Sequence, residues 1–328
     1  MLSHIVVPLD GSAFAEQVVP LALHLADLHH AELELVHVFE ALAPYEVQGA
    51  PPIDPAFDTE MRRERQKYLE RIAERLAGSS GLQIQARTVD GADVPATLAA
   101  HLAEQHADLV ILAKHTRGGL GKLWLGSVLS GVLGHTDTPV MLVPAHDSAD
   151  EPRRWFRKVL MPLDGTSMDE QAVDDALAVV VPNEAEFVLL SVREPVASFE
   201  QDALTPNDRP ETDEPKTAVL DTYAASTIEG GMNDHLESIA RGIRSRGFRA
   251  SAEVITDHSP AKAILTVAEQ WEVDLIVVET HATEGITRLL HPRVVDKVIR
   301  GSRVPVLAHR HSTGASLGVK HSVAQEMP

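Results

Sequence analysis

The sequence contains no cysteine, a deficit of basic residues and no long apolar run, and each absence excludes a class of protein. Without cysteine, disulfides, thiolate nucleophiles and cysteine-ligated zinc are excluded. Lys and Arg total 29 against 48 Asp and Glu, and the formal net charge of −19 is spread over both halves of the chain. An acidic chain without a basic half is a poor candidate for binding nucleic acid or an anionic membrane. No stretch approaches the roughly 20 apolar residues of a membrane-spanning helix.

The composition that is present is typical of a globular protein. The chain has 328 residues, of which 44% are hydrophobic and 23% charged. That length suits two domains of about 150 residues each. The first residues show no basic segment followed by a long apolar run, so we expect no signal peptide and predict a cytoplasmic location.

The chain repeats itself on the scale of a whole domain. Residues 5–12 (IVVPLDGS) return as residues 159–166 (VLMPLDGT), an offset of 154. Residues 108–111 (DLVI) return as residues 274–277 (DLIV), an offset of 166. Two constant offsets indicate two copies, with 12 residues gained between the second and fourth strands of the second copy.

Each copy alternates β-branched runs with helical segments. In the first copy the pattern predicts strands near 4–9, 32–39, 82–89, 108–113 and 139–143. Helices are predicted between them, among them 57–77 and 94–106. We expect Ser12 to cap the first helix and Pro20 to kink it. Five strand–helix steps predict an α/β fold with an open parallel sheet covered by helices on both faces.

The domain boundaries follow from the repeat. We predict one domain at 1–146, a second at 156–310 and a disordered tail at 311–328. The second domain carries an insertion at 194–230 with four prolines, nine acidic residues and two basic residues. Such a segment cannot bury enough apolar surface to fold alone, so we interpret it as a mobile acidic loop.

Two segments of the first copy are candidates for a ligand site. In an open parallel sheet, ligands bind beyond the carboxyl ends of the strands, where the strand order reverses. Residues 8–12 follow the first strand and residues 113–128 follow the fourth. The second segment holds three glycines within residues 118–121, which let backbone amides approach a phosphate, and three bases: Lys114, Arg117 and Lys122. The alternative is an ordinary strand-to-helix loop closed by a capping serine.

These residues resemble the universal stress protein family, in a tandem arrangement that covers about 1–144 and 156–309. The resemblance lies in VPLDGS at 7–12, LVHV at 35–38, DLVILA at 108–113, HTRGGL at 115–120, LGSV at 125–128 and TPV at 138–140. It implies two tandem flavodoxin-like (adenine nucleotide alpha hydrolase-like) domains, each a five-stranded parallel sheet of order 3-2-1-4-5. It also implies that the two domains pair within the chain through their fifth strands, at 139–143 and 305–308. A homodimer and an unknown protein partner are further expectations.

The resemblance also implies a site for ATP or a related adenine nucleotide, with Mg²⁺ as a candidate companion. Many family members bind ATP through Gly-x2-Gly-x9-Gly-(Ser/Thr) after strand 4, with an Asp after strand 1 and a Val at the end of strand 2. Here the first two glycines of that pattern are Ala113 and Thr116. The nucleotide-binding residues carried over by position are Pro8, Asp10, Val38, Ala113, His115, Thr116, Arg117, Gly118, Gly126, Ser127 and Val128.

The second copy departs further from the pattern. Its corresponding positions read Glu279 and Ala282, then nine residues, then Pro292 and Arg293. All three glycines and the Ser are replaced, and proline lacks an N–H donor. We therefore expect one functional copy and one degenerate copy.

Three functions remain open from the sequence. The first is a nucleotide-binding switch in the stress response, and the second is a protein-interaction module that binds no nucleotide. The third is a slow ATPase, for which Asp10 or His115 would position water. No nucleophile–base–acid set is identifiable and no metal site is expected, so the third ranks last.

Overall fold

The computed structural model describes residues 1–40, 55–115, 126–145, 156–163, 170–181, 184–195, 217–281 and 292–311. Over these residues the strands form one ten-stranded sheet of order β3-β2-β1-β4-β5-β10-β9-β6-β7-β8. Each half has the order 3-2-1-4-5, which confirms the predicted tandem α/β fold.

The described residues of the first half form five strands and four α-helices. They are β1 (His4–Pro8), α1 (Val19–His29), β2 (Glu32–Phe39), α2 (Pro55–Ser80), β3 (Ile84–Asp90), α3 (Val94–Glu104), β4 (Leu109–His115), α4 (Ser127–His135) and β5 (Val140–Ala145). The second half repeats the order. It contains β6 (Lys158–Leu163), α5 (Glu170–Ala178), β7 (Glu186–Arg193), α6 (Thr217–Ser245), β8 (Arg249–Thr256), α7 (Pro260–Gln270), β9 (Leu275–His281), α8 (Pro292–Gly301) and β10 (Val306–His311).

The sheet is covered on both faces, as the continuous apolar strands predict. One core layer lies between the sheet and α1, α2, α5 and α6, and it includes Ile5, Leu69 and Phe187. The other lies between the sheet and α3, α4, α7 and α8, and it includes Leu98 and Ile276. Burial on both faces removes most of the apolar strand surface from water, the main stabilising contribution in such a fold.

The two halves join through their fifth strands. β5 and β10 pair antiparallel, with Leu142 opposite Val306, Met141 opposite Leu307, and Val140 opposite Ala308. This is the pairing expected between 139–143 and 305–308. Because the strands run in opposite directions, the carboxyl edge of one half lies beside the amino edge of the other.

Two local expectations need correction. Pro20 does not kink the first helix. It lies in the first turn of α1, where a missing N–H costs no intrahelical bond. Ser12 does not cap α1, whose N-cap residue is Val18. Oγ of Ser12 accepts from the amide of Ala15 at 3.1 Å, at the start of a short 3₁₀ turn (Ala15–Val18) that precedes the helix.

The acidic insertion is shorter than expected. Residues 217–230 belong to α6, so the loop prediction is wrong over that stretch. The four prolines of the insertion all precede residue 216, and residues 217–230 contain no helix breaker except a glycine. The end of the insertion can therefore continue as a helix. Residues 196–216 lie outside the described residues. β10 runs through His311, and residues 312–328 of the predicted tail also lie outside them.

Candidate functional site

The turn after β1 is held by its own polar side chains. Oδ1 of Asp10 accepts hydrogen bonds from the amide of Ser12 at 2.8 Å and from its hydroxyl at 2.6 Å. Burial raises the pKa of Asp10, but these hydrogen bonds outweigh it and leave the pKa below its usual value. Gly11 has φ +91°, a conformation that glycine adopts without strain. The turn thus presents an exposed, ionised carboxylate at the carboxyl edge of the sheet.

The ends of β1 and β2 are fixed to each other at that edge. The amide of Leu9 donates to the carbonyl of Val36 at 2.8 Å. His37 lies 2.7 Å from the carbonyl of Leu9 through Nδ1, which must therefore be the protonated ring nitrogen. Pro8 ends β1 opposite Val36, and Val38 lies near the end of β2, paired with Val89 of β3. The two residues carried over from these strands are therefore at the same edge as Asp10.

The amino end of α4 also begins at this edge, because a helix between parallel strands runs back against them. Gly126 is the N-cap residue and has no side chain that could cap the helix. Within the described residues, no side chain accepts a hydrogen bond from the first amides of α4. Ser127 and Val128 are exposed in the first turn. A Cβ added to Gly126 would meet no described atom within 4 Å. Free amides and a positive helix end favour an anion at such a position.

The residues at the end of β4 divide between two environments. Ala113 is half-buried and pairs with Val143 of β5. Lys114, which the sequence placed in a cationic loop, is only 3% exposed. Its Nζ donates to the carbonyls of Ile299 and Ser302, each at 2.7 Å, at the carboxyl end of α8 in the other half. Burial lowers the pKa of Lys114 to about 7. Lys114 is therefore an interdomain contact, and its expected role as a loop cation is wrong.

The rest of the fourth-strand segment is only partly described. His115 is the last residue of β4. Thr116, Arg117, Gly118 and the three-glycine stretch lie outside the described residues. The structure therefore brings Pro8, Asp10, Val38, Ala113, Gly126, Ser127 and Val128 to one edge. That these residues, or the others carried over by position, contact a nucleotide stays a prediction.

One residue at this edge was missed by the sequence reasoning. Arg65 of α2 falls in a run of charges that was assigned to the solvent face of the helix. Its Nη1 lies 2.9 Å from where a Cβ on Gly11 would stand, so the guanidinium covers the Asp10 turn. Tyr68, one helical turn further, donates its hydroxyl to Glu16 at 2.9 Å, and burial followed by this contact raises its pKa. The sequence does not single out Arg65, because four other charged residues lie within three positions of it. Its place over the Asp10 turn follows only from the packing of α2 against the sheet.

The equivalent edge of the second half keeps Val192 as the counterpart of Val38, but it differs at two described positions of the phosphate-binding pattern. Glu279 stands where the first half has Ala113, and it is 6% exposed. α8 begins at Pro292, the counterpart of Gly126, and so lacks one amide donor. Asp164, the counterpart of Asp10, lies outside the described residues.

The described parts of the chain hold neither a metal site nor a membrane-spanning helix. No group of three or more metal-ligating side chains is arranged to hold an ion among these residues. No helix over the same residues is long and apolar enough to cross a membrane.

Comparison with known proteins identifies the family. The model of the universal stress protein family matches residues 1–144 and 156–310. The chain therefore belongs to the universal stress protein family, as a tandem of two such domains. A universal stress protein of Mycolicibacterium smegmatis is 27% identical over 313 residues, which cover 93% of this chain and 96% of that protein. One of Mycobacterium tuberculosis strain H37Rv is 26% identical over 311 residues, which cover 94% and 96%.

A solved structure agrees with the fold. The crystal structure of a universal stress protein from Archaeoglobus fulgidus has a TM-score of 0.63 and 19% sequence identity, and the match covers 94% of this chain and 96% of that one.

Proposed function

We propose that the amino-terminal domain binds ATP or a related adenine nucleotide at the carboxyl edge of its sheet, and that the carboxyl-terminal domain does not. The observation that carries the proposal is the convergence of the Asp10 turn, the end of β2 and the uncapped amino end of α4 at the switch point between β1 and β4. This is where an open parallel sheet binds its ligands.

Each group has a defined task in this proposal. Ser12 occupies Oδ1 of Asp10, so Oδ2 is the oxygen that would meet a ribose hydroxyl or a phosphate-bound Mg²⁺. The backbone of Val38 would contact the adenine. Gly126 and Ser127 would hold the terminal phosphates through amides and hydroxyl. Arg65 would add a positive charge beside the Asp10 turn.

The second domain supports the asymmetry. A buried carboxylate at 279 and the missing donor of Pro292 both disfavour a polyphosphate. The protein would then act as a binding switch, in which phosphate contacts to the 114–127 loop change a surface. A ligand shifts such an equilibrium only by its difference in affinity for the two states.

The first test is to denature freshly purified protein and identify the released small molecules by mass spectrometry. About one adenine nucleotide per chain is expected for a single tight site. About two per chain would contradict the proposed degeneracy of the second domain. No nucleotide, with no thermal shift in millimolar ATP and Mg²⁺, would favour the interaction module instead. Turnover of bound ATP would favour the slow ATPase.

A matched pair of variants locates the site. Aspartate is a good N-cap residue, so Gly126→Asp keeps α4 capped while placing negative charge where phosphate would bind. We expect its ATP affinity to fall at least about tenfold, a loss of roughly 1.4 kcal/mol. Pro292→Asp makes the same change at the equivalent position of α8 and should leave affinity unchanged in calorimetric titration. Equal effects of the two variants would contradict a site confined to the first domain.

A further inference from the structure

The two outer strands of the ten-stranded sheet are protected differently. An edge strand exposes a row of unpaired N–H and C=O groups, which can pair with another chain. β3 forms one edge and β8 the other. They are equivalent strands of the two domains, so the same backbone can be compared twice.

The β3 edge is closed by side chains of α2. Gln66 donates from Nε2 to the carbonyl of Ala86 at 3.0 Å and accepts from the amide of Thr88 at 3.0 Å and from its hydroxyl at 2.9 Å. Arg62 donates to the carbonyl of Thr88 at 3.2 Å. These two side chains occupy the positions that a neighbouring strand would take. The bonds also show that the even-numbered residues of β3 turn their backbone groups outward.

The β8 edge is open over its centre. Arg244 donates to the carbonyl of Ala250 at 3.1 Å, so the even-numbered residues turn outward here too. By alternation, the next outward residues are Ala252 and Val254. Among the described residues, no side chain or strand bonds to their outward amides and carbonyls. Ala252 is the counterpart of Ala86, at the offset of 166 that relates the two domains.

We propose that the β8 edge is a self-association surface, on which β8 of a second copy of this chain pairs antiparallel about Ala252. In this register Ala252 lies opposite its own symmetry mate, and Ala250 lies opposite Val254. The exposed guanidinium of Arg244 then moves off the carbonyl of Ala250, which accepts from the amide of Val254 instead. These small apolar side chains lie on the face that contributes to the core, which the pairing extends across the two copies. The two sheets then become one continuous sheet related by a twofold axis.

Charge complementarity selects a second copy as the occupant. Arg249 and Glu253 are both exposed and share the opposite face of β8. In the register centred on Ala252, Arg249 of each copy lies diagonal to Glu253 of the other, within reach of long side chains. Within the described parts of the chain, the ion pair of Arg249 is with Glu186 at 4.0 Å, a long and exposed contact that leaves the guanidinium available. Shifting the centre to Glu253 would place two carboxylates opposite each other, which is unfavourable.

The absence of cysteine gives a direct test. Directly opposed residues of an antiparallel pair have Cα atoms about 5.5 Å apart at a hydrogen-bonded position. Ala252→Cys should therefore give a covalent dimer with a short bis-maleimide, and Ala86→Cys, its counterpart on the closed edge, should not. Equal crosslinking of the two variants would overturn the proposal.

The oligomeric state provides the second readout. We expect a concentration-dependent dimer in sedimentation equilibrium whose dissociation constant rises at least about tenfold with Ala252→Pro, because proline removes an outward N–H. Ala86→Pro serves as the matched control and should leave the dimer intact. Glu253→Arg should weaken the dimer, and adding Arg249→Glu should restore it. A chain that stays monomeric at about millimolar concentration, or a dimer that Ala252→Pro leaves unchanged, would overturn the proposal.

Discussion

The two domains place different chemistry at the same point of the same fold. In the first, the carboxylate of Glu34 on β2 is buried to 1% exposure and contacts three cationic or ionisable partners. Nε2 of His4 lies 3.2 Å away, Nε of Arg87 2.9 Å and Nε2 of His101 3.1 Å. Burial raises the pKa of Glu34, but the hydrogen bonds from His101 and His4 hold it at about 2.

The second domain has no such cluster at that point. The counterpart of Glu34 is Val188, 4% exposed, and the counterpart of His101 is Val267, 7% exposed. Both belong to the core layer that faces α7 and α8. The comparison teaches that the fold does not need the buried charge. Apolar side chains can fill the same positions of the same fold, as is common when buried ion pairs are replaced.

The largest expected effect comes from breaking the charged cluster. Glu34→Gln leaves Arg87 and the two histidines without their carboxylate, so we expect the first domain to lose about 3 kcal/mol of unfolding free energy at pH 7. Urea unfolding followed by hydrogen exchange of β2 amides measures this loss. Glu34→Val with His101→Val copies the second domain and should recover most of it. A single substitution without measurable cost would contradict the assigned role of the cluster.

The cluster also has a pH signature. The folded pKa of Glu34 lies below its ordinary value of 4.5, so its contribution is complete above pH 4.5 and is lost as the pH falls through about 2. The difference between wild type and Glu34→Gln should therefore shrink over that window. His4 acts in the opposite sense. Its hydrogen bond to Glu34 raises its pKa above 6.5, so its contribution is complete below pH 6.5 and is lost as the pH rises through the folded value.

A smaller effect is expected at the domain interface. Lys114 bonds to the end of α8, whereas its counterpart Thr280 donates to the carbonyl of His309 at 3.3 Å within its own domain. Lys114→Met strands two buried carbonyls and should cost about 2 kcal/mol, and Thr280→Val should cost less than about 1 kcal/mol. Urea unfolding of the two variants tests the difference. Equal costs would mean that Lys114 adds nothing specific to the pairing of the domains.

Lys114 has its own pH signature. Burial puts its folded pKa near 7 against 10.5 in the unfolded chain, so the unfolded state binds more protons between these values. Wild-type stability should therefore rise with pH over this window, and the rise should be absent in Lys114→Met. The amine keeps two N–H donors when it is neutral, enough for both carbonyls.

The smallest expected effect concerns the closed edge. Gln66→Ala removes the side chain that bonds to Ala86 and Thr88, and we expect a cost of about 1 kcal/mol in urea unfolding. If the side chains of Gln66 and Arg62 are what keeps the β3 edge closed, crosslinking through Ala86→Cys should appear once Gln66→Ala and Arg62→Ala are added. Continued absence of the crosslink would mean that another property of β3 prevents it from pairing with a second chain.

Most of the fold could be predicted from the sequence, because the apolar runs and the repeat are local patterns. The strands near 4–9, 32–39 and 139–143 agree with β1, β2 and β5 to within two residues. Other predictions of the fold are wrong. The segment 194–230 is predicted as one loop, although its last residues belong to α6. Pro20 is predicted to kink a helix, but a proline in the first helical turn causes no kink.

The candidate site could be predicted only along the strands. Asp10 and Val38 lie at the edge that the strand order requires, since parallel strands end together. Arg65 and Lys114 could not be placed, because a charge on a helix or at a strand end gives no signal of what packs against it.

The sequence by itself determined the succession of strands and helices, through hydrophobic periodicity, and the tandem repeat and the family, through motifs along the chain. The strand order within the sheet followed from the family resemblance, and the structure confirms it. The tertiary structure alone decided which charges are buried and which edge is open. Glu34 meets its partners 30 to 67 residues away, and Lys114 meets carbonyls 185 and 188 residues away. Contacts over such separations are set by how the helices pack on the sheet, and no local pattern encodes them.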